Sequence, residues 1–370
     1  MHPRNIAIPK GIRRFIPGRS STFGPPRKSL WISDYVKISN CSWREVHPQE
    51  SVKLGDVYDV RGDRVFYREL PIERPSAGVL MLPGASVYGR HGWVVTSDDF
   101  YLYDTNHWFW NPDKTPCFKF FKRQGDIVNL KGKTLNLLSW CAEENYYHWL
   151  LEMVPRLSLF TSGGGGFDDI DNILIPNNEL VSARRFLARL NLPQRKFIFP
   201  SALGCFKCEY LIQPSHPGAP GFAPKWSVDF LRQTVGANNR EAGRRLFVLR
   251  GKGRRCLENE LEIAESLQKH GFEIFDHDLM EDEVGAFQSA SIVVGAHGAG
   301  LARVAFCHPN TKVVELISDR WVAPYFRTLS YSSGHQYYAS VGHASQLGEA
   351  ISSSFKIDKD MVLDKVISLI

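Results

Sequence analysis

The chain has 370 residues, of which 43% are hydrophobic and 23% charged, enough apolar material for two ordinary domains or one large one. A formal charge of +6 and a pI near 8.9 favour an anionic partner, and nucleic acid, acidic lipid and phosphorylated small molecules all fit that balance. No stretch approaches the roughly 18 uninterrupted apolar residues of a membrane-spanning helix. Pro3, Pro9 and Pro17 break up the N-terminus, so no secretory signal is expected there.

Residues 1–28 carry Arg4, Lys10, Arg13, Arg14, Arg19, Arg27 and Lys28 and no acid, which reads as a basic arm able to lie on anionic lipid headgroups. Residues 30–140 hold short alternating runs broken by Gly, Pro and Asp, the pattern of strands and hairpins. "NYYHWLLEMVPRL", Asn145 to Leu157, predicts a helix that is apolar around most of its circumference. Then come a Gly-rich loop (163–169), a strand (172–176), a helix from "SARRFLARLNL", a strand "KFIFP" and a strand "EYLIQP". Pro214 to Pro224 is rich in Pro and Gly and predicts an interdomain linker. Cys205 and Cys208, in the turn entering "EYLIQP", form a lone C-x-x-C. The seven scattered cysteines do not make a disulfide framework, and a reducing cytoplasm is the default setting.

The second half alternates strand and helix: "RRLFVLRG", "ENELEIAESLQKHG", "FEIF", "EDEVGAFQSA", "SIVVGA", "GAGLARVAF", "KVVELI". That rhythm predicts a parallel sheet with helices on its faces. A short amphipathic helix, "KDMVLDKVISLI", ends the chain. The expected organisation is an arm (1–28), an N-terminal domain with extra hairpins (29–215), a C-terminal domain (225–350) and a terminal helix (356–370).

Three stretches carry chemistry. The helix 145–157 has its polar residues at Asn145, His148, Glu152 and Arg156, spaced three, four and four apart, which predicts one narrow stripe. Ionisable groups on an apolar helix are costly to bury unless paired. A histidine one turn from a carboxylate suits proton abstraction, with either group as the base. Pro155 cannot donate to Leu151, so a kink or an end is expected there. In "SIVVGAHGAGLARVAF" a buried strand runs into Gly295-Ala296-His297-Gly298-Ala299-Gly300-Leu301 and then a helix. Small residues and helix-start amides make a phosphate site at the carboxyl end of a strand, although a tight turn alone would also need the glycines. The third stretch is Arg250, Lys252, Arg254 and Arg255, just past another strand of the same sheet, and arginine suits bidentate phosphate contact. Glu315, in the strand after the glycine loop, suits ribose hydroxyls or a helix cap. Asp276-His277-Asp278 fits a metal-binding pattern less well than carboxylates favouring the start of the acidic helix that follows. Asp169 and Asp171 stand at the wrong end of their strand, and no His/Cys spacing fits zinc, so no metal site is expected.

Taken in order, N-Y-Y-H-W-L-L-E-M-V-P-R-L, R-L-F-V-L-R with its following basic residues and N-E-x-E, V-V-G-A-H-G-A-G-L and V-V-E-L resemble glycosyltransferase family 61 over roughly residues 135–320. The resemblance implies a GT-B-like α/β fold, two Rossmann-like domains facing a central cleft. It implies an inverting, metal-independent transfer from a nucleoside-diphosphate sugar, such as a UDP-sugar, to a glycan or lipid-linked glycan, with no cofactor and no nucleic-acid partner. On that reading His148 and Glu152 are the catalytic pair, and Asn145 and Arg156 contact substrate. Arg250, Arg254, Arg255, the loop His297–Leu301 and Glu315 hold the donor. The sequence departs from the family pattern at Leu249, Ala302 and Arg303. The absence of an N-terminal anchor points toward a bacterial capsule-type enzyme working in the cytoplasm at the inner membrane face. The alternatives are a pyruvyl transferase on a similar scaffold and a catalytically silent nucleotide- or glycan-binding subunit.

Overall fold

The computed structural model describes residues 26, 28–67, 73–105, 127–201, 204–218, 221–236, 243–251, 253–277, 279–345 and 352–370. Nearly all of the basic arm, with Lys252 and Asp278, lies outside the described residues. The fold is mixed α/β. The chain divides into two compact units, one of Met1–Glu50 with Pro75–Pro220, the other of Ser51–Arg74 with Gly221–Ile370. Ser51–Arg74, expected within the N-terminal domain, groups with the second unit because Val57, Val65 and Tyr67 pack with Ile317, Tyr337 and Ala339.

The first unit is built on a ten-stranded sheet. Its strands are β1 (Lys28–Leu30), β2 (Ser42–His47), β3 (Ala77–Pro83), β4 (Ser86–Tyr88), β5 (Trp93–Val95), β6 (Phe100–Leu102), β7 (Ile127–Asn136), β8 (Asn172–Leu174), β9 (Phe197–Ile198) and β10 (Cys205–Pro214). The order is β1-β6-β5-β4-β10-β7-β8-β9, with β3 also paired to β10 and β2 to β3. The hairpin strands join antiparallel, whereas β10, β7, β8 and β9 run parallel. Apolar side chains alternate inward along these strands, and Leu80, Leu82, Val87, Val94, Leu102 and Leu211 form one buried cluster. Cys205 and Cys208 are buried in β10 as free thiols, and burial pushes them up to about 11 and about 12. Thiols held so far from the thiolate do not make a redox pair, so the C-x-x-C is packing.

The connection from β7 to β8 holds the apolar helix, and it is not one regular α-helix. Tyr146–His148 is α-helical (α2), Trp149–Met153 is a π-helical segment, and Arg156–Ser162 (α3) resumes after Pro155. The Val154 N–H reaches the Trp149 carbonyl at 3.1 Å, five residues back. Pro155 has no N–H to continue either ladder, and the chain restarts with Pro155 as the residue before α3. Asn145 caps the start, its Oδ1 accepting from the Tyr147 N–H at 2.9 Å.

Arg156 fixes this assembly to the sheet. It is 1% exposed. Its Nη1 donates to the Leu138 carbonyl at 2.7 Å and its Nη2 to the carbonyls of Asn136 at 2.8 Å and Pro214 at 2.9 Å, with Nε adding a 3.2 Å bond to Pro214. Those carbonyls lie at or just past the ends of β7 and β10. Asn136 and Gln213, polar residues inside apolar strands, extend the network through an Nδ2–Oε1 bond of 2.7 Å. Burial lowers the guanidinium to about 9, still protonated at neutral pH.

The second unit is built on a six-stranded sheet. Its strands are β11 (Arg244–Val248), β12 (Phe272–Phe275), β13 (Ala290–Ala296), β14 (Lys312–Ser318), β15 (Gln336–Ala344) and β16 (Phe355–Lys356), in the order β12-β11-β13-β14-β15-β16. Every pair is parallel except β15 with β16. Helices α4 (Val181–Arg189) in the first unit and α6 (Glu260–Gln268) and α9 (Lys359–Ser368) in the second follow the expected positions, whereas α1 (Ile32–Ile38), α5 (Lys225–Val235) and α8 (Tyr325–Ser333) form where the sequence pattern predicts no helix. Ile263, Leu267, Val362 and Val366 pack with Phe247, Ile292, Val294, Val314 and Leu316, each such side chain contributing about 1.5–3 kcal/mol when fully buried. Chain order reverses between β11 and β13, so the ends of these two strands open a crevice where α/β sheets bind ligands.

Replacing Arg156 by Met removes all four of these bonds and takes the guanidinium donor from the enclosed carbonyls of Asn136 and Leu138, while the Pro214 carbonyl keeps its bond from Gln213 Nε2. The expected loss of unfolding free energy is about 3–5 kcal/mol, read from the urea midpoint. A loss below about 1 kcal/mol would show that the strut does not hold the helix.

Candidate functional site

Two clusters form, one in each unit. In the first, His148 and Glu152 are both buried, at 8% and 7% exposure. His148 Nδ1 lies 3.0 Å from Glu152 Oε2. The ring is flanked edge-on by Trp140 at 5.5 Å and Tyr147 at 5.7 Å between centroids. An imidazole whose Nδ1 faces a carboxylate has its Nε2 as the nitrogen that takes a proton, and the carboxylate steadies the imidazolium that results. The structure thus pairs two members of the expected stripe. It gives the other two different work: Asn145 caps α2, and Arg156 spends its donors on backbone carbonyls.

The second cluster lies at the β11–β13 crevice. Gly298 and the eight-residue 3-10 helix Ala299–Phe306 follow β13, in place of an α-helix. The first amides of a helix lack partners within it. The Leu301 amide is bonded to the Gly298 carbonyl at 3.0 Å, and its enclosed side chain packs under the loop as an anchor. Arg250 crosses from the other strand end. Its Nη1 donates to the His297 carbonyl, and its Nε and Nη2 donate to the Arg254 carbonyl. A Cβ on Gly298 would sit 1.9 Å from Arg250 Nη1, so a larger residue here would displace the guanidinium from its place over the loop. Arg255 lies over the Trp321 ring at 5.1 Å. Burial, then the charges of Arg250 and Arg254, lower Arg255 to about 10. Two cations that depress a third mark a local excess of positive charge, which an anion relieves.

Glu260 was not anticipated. Its two carboxylate oxygens accept from the Arg250 and Gly251 amides at 2.7 and 3.0 Å, holding the basic loop by its backbone and leaving the guanidinium groups to side-chain work. Its sequence signal was the acidic start of the helix that follows the basic run.

Glu315 is placed differently from the ribose contact expected of it. It stands within β14, 0% exposed, with Oε1 2.5 Å from His297 Nδ1 and Oε2 accepting from the Tyr337 hydroxyl. Tyr337 in turn meets Tyr67 at 3.0 Å. This buried chain fixes the His297 ring, which Tyr325 and Phe326 flank at 5.8 and 5.2 Å. Tyr67 comes from a segment more than two hundred residues away in sequence, so no local pattern pointed to it. Ala302 and Arg303, where the family pattern is broken, face inward. Arg303 pairs with Glu283 at 2.7 Å, both side chains buried, and ties the 3-10 helix to α7 (Glu283–Gln288). Asp276 and His277 approach no closer than 3.9 Å, and Asp282 caps α7 by accepting from Gly285 N at 3.0 Å. Among the described residues no three His, Cys, Asp or Glu side chains cluster as a metal site, and no helix is long and apolar enough to cross a membrane.

Gly298→Ala is expected to push the Arg250 guanidinium off the His297 carbonyl. Affinity for inorganic pyrophosphate, measured by calorimetric titration, should fall at least about tenfold, with stability changed by about 1 kcal/mol or less. Unchanged affinity would contradict the role given to this contact.

Residues 146–314 match the sequence profile of the family described as Glycosyltransferase 61. The match begins at the first residue of α2 and takes in His148, Glu152, the basic loop and the glycine loop. A beta-1,2-xylosyltransferase of rice (Oryza sativa subsp. japonica) is 33% identical over 134 residues, 30% of this chain and 25% of the rice protein. A beta-1,2-xylosyltransferase of Arabidopsis thaliana is 35% identical over 104 residues, 24% of this chain and 20% of that protein. The chain therefore spans a quarter or less of the length of these plant relatives. Together these matches support glycosyltransferase family 61 as the family that the region 146–314 resembles.

Proposed function

We propose that the protein is an inverting glycosyltransferase that moves a sugar from a nucleoside-diphosphate sugar to a hydroxyl of a glycan or lipid-linked glycan. The observation that carries this reading is Arg250, laid across the β11–β13 crevice onto the carbonyl of His297 in the glycine loop. A diphosphate at that crevice would meet Arg250, Arg255, His297 and the amides of Ala299 and Gly300. These groups are held in place before the reaction, so they stabilise the leaving charge without rearranging.

In the proposed step the acceptor hydroxyl gives its proton to His148 Nε2 while its oxygen attacks the anomeric carbon. The bond from that carbon to the diphosphate breaks on the opposite side, and the nucleoside diphosphate leaves with the electron pair. Glu152 steadies the imidazolium. A GT-B-like fold is part of the proposal. Fixed cations at the crevice supply the charge that a divalent metal provides elsewhere, and metal independence is part of the proposal. The names of the two relatives make UDP-xylose the first donor to try. A role in cell-surface polysaccharide synthesis at the inner membrane face completes the reading.

A thermal-shift panel of nucleotide sugars, with and without EDTA, tests the reading. A ligand at 100 times its Kd should stabilise the protein by about 2.7 kcal/mol, a rise of several degrees. The account expects this from at least one nucleoside-diphosphate sugar, with EDTA making no difference. No shift with any of them would remove the donor assignment, and a shift abolished by EDTA would remove metal independence.

A further inference from the structure

We propose that the first unit carries a pocket for a neutral sugar ring of the acceptor, a reading that rests on the transferase function above. The cavity measures about 300 Å³ and is lined by Trp31, Trp43, Ser76, Asp104, Ser215 and His216, among others. That is the lower end of the range for small-molecule sites, suited to one ring rather than a long chain. A pyranose has an apolar face of C–H groups and a rim of hydroxyls. The two indoles offer flat apolar faces for the former, and the carboxyl, hydroxyl and imidazole groups offer hydrogen bonds for the latter.

The walls are held for binding. Trp31 is 39% exposed, with its ring braced edge-on against Tyr103 at 5.0 Å. Trp43 packs against the core of the unit. Asp104 is partly exposed as a residue, but its carboxyl is enclosed, and Oδ1 accepts the Ile32 amide at 2.9 Å. Burial raises this carboxyl to about 7, so near neutrality it both donates and accepts. A carboxyl in the wall disfavours an anion. Lys37, the cation at the rim, is exposed and pairs with Asp34 at 3.2 Å. A purely apolar ligand would strip water from Asp104 and His216 without replacing their hydrogen bonds.

Position links the pocket to the reaction. Ser215 and His216 directly follow Pro214, whose carbonyl receives Arg156. Arg156 opens α3, the continuation of the helix that carries His148 and Glu152. The pocket and the proposed base are therefore tied to the same end of β10.

Saturation-transfer NMR on the full chain tests this with methyl glycosides of glucose, galactose and xylose, and with octanoate as an apolar probe. The expected result is saturable transfer to the ring protons of at least one glycoside. Binding should weaken at least about tenfold in Trp31→Ala and in Ser76→Trp, which fills the cavity without removing a core side chain. Binding of octanoate alone, no glycoside binding, or glycoside binding indifferent to both substitutions would each overturn the pocket. The donor thermal shift of the unaltered protein separates the two ideas. A donor shift without glycoside binding removes the pocket and leaves the transferase reading, whereas neither signal removes both.

Discussion

A charged side chain taken out of water must find partners inside the protein, and both clusters are organised by that constraint. Glu315 is the clearest case. Fully enclosed in β14, it has one oxygen on His297 and the other on Tyr337, and Tyr337 is met by Tyr67. The histidine of the glycine loop is thereby fixed in plane and in hydrogen-bond direction by groups behind it. The loop amides and Arg250 then share a frame that does not depend on a bound ligand. Arg156 does the same for the first unit, joining the end of the π-helical segment to the ends of β7 and β10.

The two clusters use one device for different ends. Each sets a histidine Nδ1 against a buried carboxylate, His148 with Glu152 and His297 with Glu315. In the first the pair is local, four residues apart in a widened helix, an arrangement that suits the proton transfer proposed for it. In the second the carboxylate comes from the neighbouring strand, and the surroundings are rich in arginine, which suits a group that binds charge rather than one that takes a proton.

Much of the scaffold was legible in the sequence. The alternation from "RRLFVLRG" to "KVVELI" predicts the parallel sheet found in the second unit, because strands buried on both faces read as continuous apolar runs. The stripe predicted the His148–Glu152 pair, since helical spacing of four brings side chains together. What was not legible depends on distant contacts. The π-helical segment looks like ordinary helix in sequence, because its residues are all good helix formers or core residues until Pro155. Arg156 looked like a substrate contact because the carbonyls that claim it belong to strands that end about 20 residues before it and about 60 after it. Glu315 looked like a strand-end carboxylate, whereas β14 continues to Ser318 and encloses it. Tyr67 enters the second unit from a segment that precedes most of the first.

The central claim is that His148 takes the acceptor proton while the β11–β13 crevice holds the leaving diphosphate. Its most direct measurement is the rate of nucleoside-diphosphate release from the donor that stabilises the protein best, with water or glycan as acceptor, in the unaltered protein and in His148→Ala. The account predicts a fall of at least about a hundredfold in kcat with donor affinity retained. A rate in His148→Ala equal to that of the unaltered protein would contradict it.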